Sequence, residues 1–189
     1  MNTLKQLIKR DIINILRNPV LVKSRFIQII YLTIYIGGLY FNAGRKDYTN
    51  ILNWNTIAGF FFFIVLDVLF QGLVPLALVF PTERAVFLKE ENSKMYGVVS
   101  YFISRNIVDI PFLLILPAIY SLVTYWMVGL SSTPSQFFIM YLILFLMMFV
   151  GSSMGLLIGS FIQDEKGVSE IVPILLLPLI VISGFFKNS

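Results

Sequence analysis

The sequence predicts an all-α, polytopic membrane protein: an amphipathic N-terminal surface helix followed by five transmembrane helices. Three observations carry this reading. Of the 189 residues, 58% are hydrophobic and the mean hydropathy is +0.86, whereas soluble domains are nearer half apolar. The stretch Ile110–Gln163 runs for 54 residues without an Asp, Glu, Lys or Arg. As a helix at ~1.5 Å per residue it would be about 80 Å long, and a bilayer core takes roughly 20 apolar residues, so it must fold back once. The charges, finally, gather in islands, with eight of the 24 in Phe80–Pro111.

The elements follow in order. Thr3–Asn18 carries Leu4, Leu7, Ile8, Ile12 and Ile15 near helical spacing, with Lys5, Lys9, Arg10, Asn14 and Arg17 mostly off that face. Asp11 falls close to the apolar stripe, so the amphipathicity is imperfect. Such a helix suits a membrane surface, and Asn18-Pro19 ends it. The start is not a secretory signal, because charge interrupts its apolar residues every few positions. The first span is about Phe26–Phe41, left at Asn42-Ala43-Gly44. Ile57–Val79 is the second. A third runs from about Tyr101 to Val128 and carries Pro111 and Pro117. The turn Gly129–Gln136 leads to the fourth, Phe137–Ile162, whose Gly151, Ser152, Ser153, Gly155 and Gly159 let another helix approach closely. The fifth runs from near Val168 to Phe186, kinkable at Pro173 and Pro178.

Lys and Arg set the orientation. Six lie in the N-terminal segment through Arg25 and four in Pro81–Asn106, against two in Asn42–Asn55 and none in Gly129–Gln136. The N-terminus and the island are therefore expected on the cytoplasmic side. The net charge of +4 reads as topology and not as nucleic-acid binding. The sequence has no His and no Cys, which removes zinc and haem ligation, thiol nucleophiles, histidine bases and disulfides. With one mid-span carboxylate, an intramembrane enzyme has no acid/base pair or metal set to work with.

Within the island, Pro81–Lys94 reads as a short helix with Pro81 in its first turn. Glu83, Phe87 and Glu90 or Glu91 then share a face, and Glu90 and Lys94 stand in the favourable acid-then-base order. Acids and an exposed phenylalanine on the cytoplasmic side suit docking into a partner's groove; the plain alternative is a solvated loop helix.

The order of residues here resembles the ABC transporters of the G (White, or multidrug-resistance half-transporter) subfamily. The resemblance rests on Glu83, Arg84, Phe87, Glu90, Tyr96, Tyr101, Phe102, Pro111, Tyr125, Met127, Gly129 and Leu130, on Arg10, Arg17, Asn18 and Pro19 near the start, and on Ser183-Gly184 near the end. It covers almost the whole chain, read as a single domain over 1–189. It implies an incomplete six-span ABC type-2 membrane domain, with residues 3–18 as the connecting helix, including Arg10 and Arg17. Residues 81–98 become the cytoplasmic coupling loop, touching a nucleotide-binding domain through Glu83, Arg84, Phe87 and Glu90. A second membrane domain, identical or different, would pair with this one in a plasma or organellar membrane.

The implied activity is movement of lipid, sterol or hydrophobic xenobiotic, driven by ATP and Mg held on the partner nucleotide-binding domain. No cofactor is expected on this chain, which has no Gly-x-x-x-x-Gly-Lys-Ser/Thr phosphate loop. The sixth span and the outer loop before it are missing from the pattern, so the sequence reads as a truncated domain. A truncated, non-transporting subunit that modulates a full-length partner is the alternative. Asp67, near the middle of span two, costs at least a few kcal/mol if buried and unpaired. It is expected to face a polar cavity, pair with a cation or be protonated, as a cavity-lining residue or as one that bonds a neighbouring helix, with Phe70 on the same face, in a spacing similar to cavity-lining positions of multidrug members. Asn55, Thr56 and Gln71 are weaker candidates. Phe185 and Phe186 fall where the family places an outer gate, or else in an aromatic belt.

Overall fold

The computed structural model describes residues 2–17, 19–45, 51–93, 96–130, 133–162 and 164–182, and among these there is no strand. Six α-helices follow in order: α1 Asn2–Arg17, α2 Pro19–Leu39, α3 Ile51–Asn92, α4 Val98–Val128, α5 Pro134–Phe161 and α6 Glu165–Ile182. The boundaries expected for α1, α4 and α5 agree to within about three residues.

α2 opens directly on Pro19, whose fixed φ suits a first helical position and whose missing N–H is an orphan there in any case. It ends in a turn through Asn42, at φ 56°, and a short 3-10 turn at Ala43–Arg45. The Asn42 N–H donates to the Met127 carbonyl at 3.1 Å, tying this turn to the end of α4. There Gly129, at φ 70°, caps α4 with its N–H on the Tyr125 carbonyl, a left-handed cap that favours glycine.

α3 departs from expectation. Its 42 residues form one helix with Pro75 and Pro81 inside it, where a span and a separate short helix starting at Pro81 were expected. A proline in a helix interior forfeits one backbone bond, but here both flanks hold the helix. Pro81 is buried, and the residues after it, Glu83, Arg84, Leu88, Lys89 and Glu90, are good helix formers.

α3 and α5 form the most extensive helix pair, and α4 packs against α1, α2 and α5. The stripe on α5 makes the α3–α5 pairing possible. A methyl at Gly151 would run into the Leu69 carbonyl, and one at Gly155 into that of Leu73. Two apolar clusters result. One joins Phe60, Ile64 and Val68 of α3 to Leu116 and Tyr120 of α4 and Leu144 of α5. The other joins Leu69, Leu73 and Ala77 to Ile158 of α5 and Val168, Val172 and Leu176 of α6.

Four segments among the described residues are long and apolar enough to cross a membrane: Val22–Arg45, Asn53–Pro81, Val98–Val128 and Pro134–Phe161. α6, expected as a fifth span, is not among them. Its 18 residues include Glu165, Lys166 and Glu170, and residues 183–189, onto which that span was expected to run, lie outside the described residues.

Candidate functional site: an ion-pair cluster joining three helices

Around the C-terminal end of α3 gather the ion pairs seen among the described residues. Arg10 of α1 donates twice from Nη1 to Glu90 of α3, at 2.9 and 3.1 Å. Its Nε lies 3.3 Å from Asp11 Oδ1, and its Nη2 reaches the Tyr96 hydroxyl at 3.5 Å. Tyr96 in turn donates to Glu90, and the Arg10 guanidinium sits 5.7 Å from the Tyr96 ring centre. α1 is also fastened to α4, where Ser104 Oγ donates to Asp11 Oδ2 at 2.9 Å.

A second set lies deeper. Arg105 Nη2 approaches Glu83 Oε1 at 3.2 Å, and Tyr101 donates to Glu83 at 3.3 Å. Arg105 Nε stands 3.6 Å from Asp109 Oδ2, one turn on; this is an ion pair too long for a hydrogen bond, and the Nε is buried without one. Asp109 also faces Arg25 of α2 at 3.9 Å, whose guanidinium lies 5.5 Å from the Phe112 ring centre. Arg105 and Asp109 are nearly inaccessible, with side chains 9% and 7% exposed. Charges so placed persist only when paired.

Phe87 sits at the centre of this arrangement. It is buried, with its ring 4.7 Å from Tyr101 and 6.0 Å from Tyr96. The expectation of an exposed phenylalanine is therefore corrected: three aromatic rings gain more by covering one another than by facing solvent. The exposed apolar side chains on this end of α3 are its neighbours Val86 and Leu88. Between α1, α3 and α4 remains a cavity of about 240 Å³, walled by Arg10, Asp11, Glu83, Glu90, Arg105 and the three aromatic rings together with Asn14 and Val86.

The carboxyls respond differently. Burial pushes Glu83 above its ordinary 4.5, although Arg105 pulls the other way. The hydrogen bond from Tyr96 holds Glu90 below 4.5 against a smaller effect of burial, with Arg10 adding to the lowering. The Tyr96 phenol is raised, mainly by burial and then by its bond to Glu90.

Of the residues singled out in the sequence, Arg10, Glu83, Phe87 and Glu90 come together here. The partner of Glu90 in the structure is Arg10 from α1; Lys94, expected in that role, lies outside the described residues. Arg84 is half-buried and outside these contacts, and Arg17 is exposed at the last turn of α1. Phe185 and Phe186 lie outside the described residues. Sequence reasoning missed Asp11, Arg25, Arg105 and Asp109 as members of the cluster. Two signals were present: Asp11 spoils the apolar stripe of α1 because it faces α4, and Arg105 and Asp109 stand one helical turn apart just before the uncharged run.

Asp67 stands apart from this cluster. Gln71 Nε2 donates to its Oδ2 at 2.8 Å. From α4 the Tyr120 hydroxyl comes close enough to interact with the carboxylate, though outside hydrogen-bonding geometry. Phe70, one turn on, is partly buried against the α3–α5–α6 cluster, so the two side chains serve different neighbours.

Together these features define an α-helical, multi-pass membrane domain with a charged, three-helix junction at one end. Residues 2–189 match the ABC-2 type transporter family, and the chain belongs to it, as a membrane domain of the G (White) branch. It is 28% identical over 180 residues to the protein named white of Ceratitis capitata, covering 95% of this chain and 26% of that protein. It is 31% identical over 165 residues to ABC transporter G family member 22 of Arabidopsis thaliana, covering 86% and 21%. With a probable ATP-dependent permease of Saccharomyces cerevisiae it shares 33% over 187 residues, covering 95% and 17%. The chain thus spans about a quarter or less of the length of these relatives.

Proposed function

We propose that this chain is the permease part of an ATP-driven transporter that moves lipid, sterol or hydrophobic xenobiotic, with the three-helix junction as its coupling element. ATP and Mg are held on a nucleotide-binding domain, in the same protein or another. A second membrane domain completes the pathway, and the N-terminus and the junction face the cytoplasm. The observation that carries this reading is the Arg10–Glu90–Tyr96 lock together with Glu83–Arg105–Asp109. Through them α1, the end of α3 and the start of α4 move as one body. A push on α1 or on the exposed Val86 and Leu88 therefore reaches two membrane-crossing helices at once.

Such coupling requires ATP to favour one of two states of the assembled transporter, and the junction to carry that preference. In this reading Arg84 meets the partner, and Glu83 holds the element that does so. In the full-length transporter, Glu83→Ala or Arg84→Ala is expected to uncouple ATP hydrolysis from transport, with expression intact for Arg84→Ala and some loss of stability for Glu83→Ala, which strips buried Arg105 of one carboxylate. Unchanged substrate-stimulated ATPase and transport in both variants removes the junction from the mechanism.

A further inference from the structure

α1 has two unlike faces. One is fastened through Arg10 to α3 and through Asp11 to α4. The outward arc holds Lys5, Lys9 and Arg17, all exposed, around Ile12 and Ile13, which are 44% and 37% exposed. Asp11 is the one acid in α1 and is taken up on the inner face, so the outward arc carries a single sign of charge. None of its three bases takes part in an ion pair among the described residues. The pairing between helices also sets a depth. Arg25 stands at the mouth of the apolar segment Val22–Arg45 and faces Asp109 of α4. Ser104, which bonds Asp11, is five residues nearer the start of α4, about 7–8 Å outward at ~1.5 Å per residue. The headgroup layer on each side of a bilayer is roughly 5–8 Å deep. That puts α1 at headgroup depth, two residues before α2 begins, where Lys23 adds an exposed base of the same sign.

We propose that the outward face of α1 is a recognition surface for anionic phospholipid headgroups. The two isoleucines sink toward the acyl boundary, while the Lys and Arg stems reach back to the phosphate and carboxylate oxygens. A neutral lipid satisfies only the apolar part of this face. An anionic one adds about fivefold in affinity for each base near the surface. Anionic lipid is concentrated in the cytoplasmic leaflet, the side on which the Lys and Arg counts are expected to place this end. Lys9 adjoins Arg10, so whatever steadies the outward face also steadies the Arg10–Glu90 lock behind it. The charge of the surrounding lipid thereby reaches the three-helix junction. This inference needs only a membrane-embedded domain and does not rest on the permease reading.

The test is amide hydrogen exchange of α1 in the purified full-length protein, without nucleotide. Nanodiscs of phosphatidylcholine alone are compared with nanodiscs containing about a third phosphatidylserine. In the wild type, phosphatidylserine is expected to slow exchange in α1 by about fivefold or more, and high salt to erase the slowing. Lys5→Gln with Lys9→Gln and Arg17→Gln is expected to lose the slowing while matching the wild type in phosphatidylcholine. Lys5→Arg with Lys9→Arg keeps it, and Lys166→Gln, which removes an exposed base on α6, leaves it unchanged. Ile12→Ser with Ile13→Ser is expected to speed exchange in both lipids and to preserve their ratio. No slowing by phosphatidylserine in the wild type, or equal slowing in the triple glutamine variant, overturns the proposal. A triple variant that already exchanges faster in phosphatidylcholine has lost bases that hold the fold, which overturns it as well. Slowing produced by ATP in phosphatidylcholine, with no response to phosphatidylserine, gives the face to the nucleotide-binding domain instead.

Discussion

Replacing Arg105 with alanine should be the most damaging single change at the junction. The substitution removes the shared partner of Glu83 and Asp109, which approach it at 3.2 and 3.6 Å. Asp109 is then left 7% exposed with only Arg25, 3.9 Å away. Breaking a buried ion pair by removing one member costs about 3–5 kcal/mol, because the remaining charge stays desolvated. The lower end applies here, since Arg25 still faces Asp109 and Tyr101 still bonds Glu83. About 3 kcal/mol corresponds to a folded fraction shifted by somewhat more than 100-fold. The assay is denaturant or thermal unfolding of the full-length protein in detergent, run as a double-mutant cycle with Glu83→Gln. The double variant, Glu83→Gln with Arg105→Ala, is expected to recover only the part of the loss carried by Glu83, with a coupling energy of about 1–3 kcal/mol, because Asp109 is still left with Arg25 alone. An Arg105→Ala protein within 0.5 kcal/mol of wild type, or a cycle with no coupling, would refute the claim that these charges hold the helices together.

Two further outcomes are expected. The hydrogen bonds of Tyr96 and Arg10 depress the folded value of Glu90 below 4.5, so the stabilisation is complete above the unfolded value of about 4.5 and is lost as pH falls through the folded one. Because Arg10 is 38% exposed, the contribution is under about 1 kcal/mol. Amide exchange in α1 should therefore quicken below pH 4.5, relative to neighbouring helices, in the wild type but not in Glu90→Gln. Glu83, whose raised value works with the opposite sign, titrates in both proteins and cancels in the comparison; identical pH dependence in the two would discard the lock. Gly151→Ala places a methyl against the Leu69 carbonyl, where backbone cannot give way, and is expected to cost about 1–3 kcal/mol. Gly38→Ala meets nothing within 4 Å and should be neutral or slightly stabilising; equal thermal stability of the two variants would contradict the close α3–α5 approach.

Much of the fold was legible because apolar run length and small-residue spacing are local properties. The small-residue stripe on α5, with Gly151, Gly155 and Gly159, announced a close helix partner, though not that the partner would be α3. The continuity of α3 through Pro81 was illegible, because propensity alone favours a helix start there and the packing that holds the helix together is distant in sequence. The site was legible in outline. Glu83 and Glu90 stood out as acids in an island, and the resemblance to G-subfamily transporters directed attention to them. Their partners, 80 residues away in the case of Arg10 and Glu90, could not be paired from periodicity. Phe87 was misjudged for the same reason, since the rings that cover it come from beyond the end of its own helix.

The two prolines of α3 fall between Asp67 and Glu83. Pro75 leaves the carbonyl of Gln71 without its backbone donor, and Pro81 does the same for Ala77. The bending stiffness of this long rod is therefore uneven. The part before Pro75 packs along α5 and the part after Pro81 is tied to α1 and α4, so the two turns between, weakest in backbone bonds, rely on the packing of Ala77 and Phe80 against Gly159 of α5. A tilt of only a few degrees there would carry the C-terminal tip of α3 by about an ångström, and the α5 contacts of Ala77 and Phe80 are what resist it.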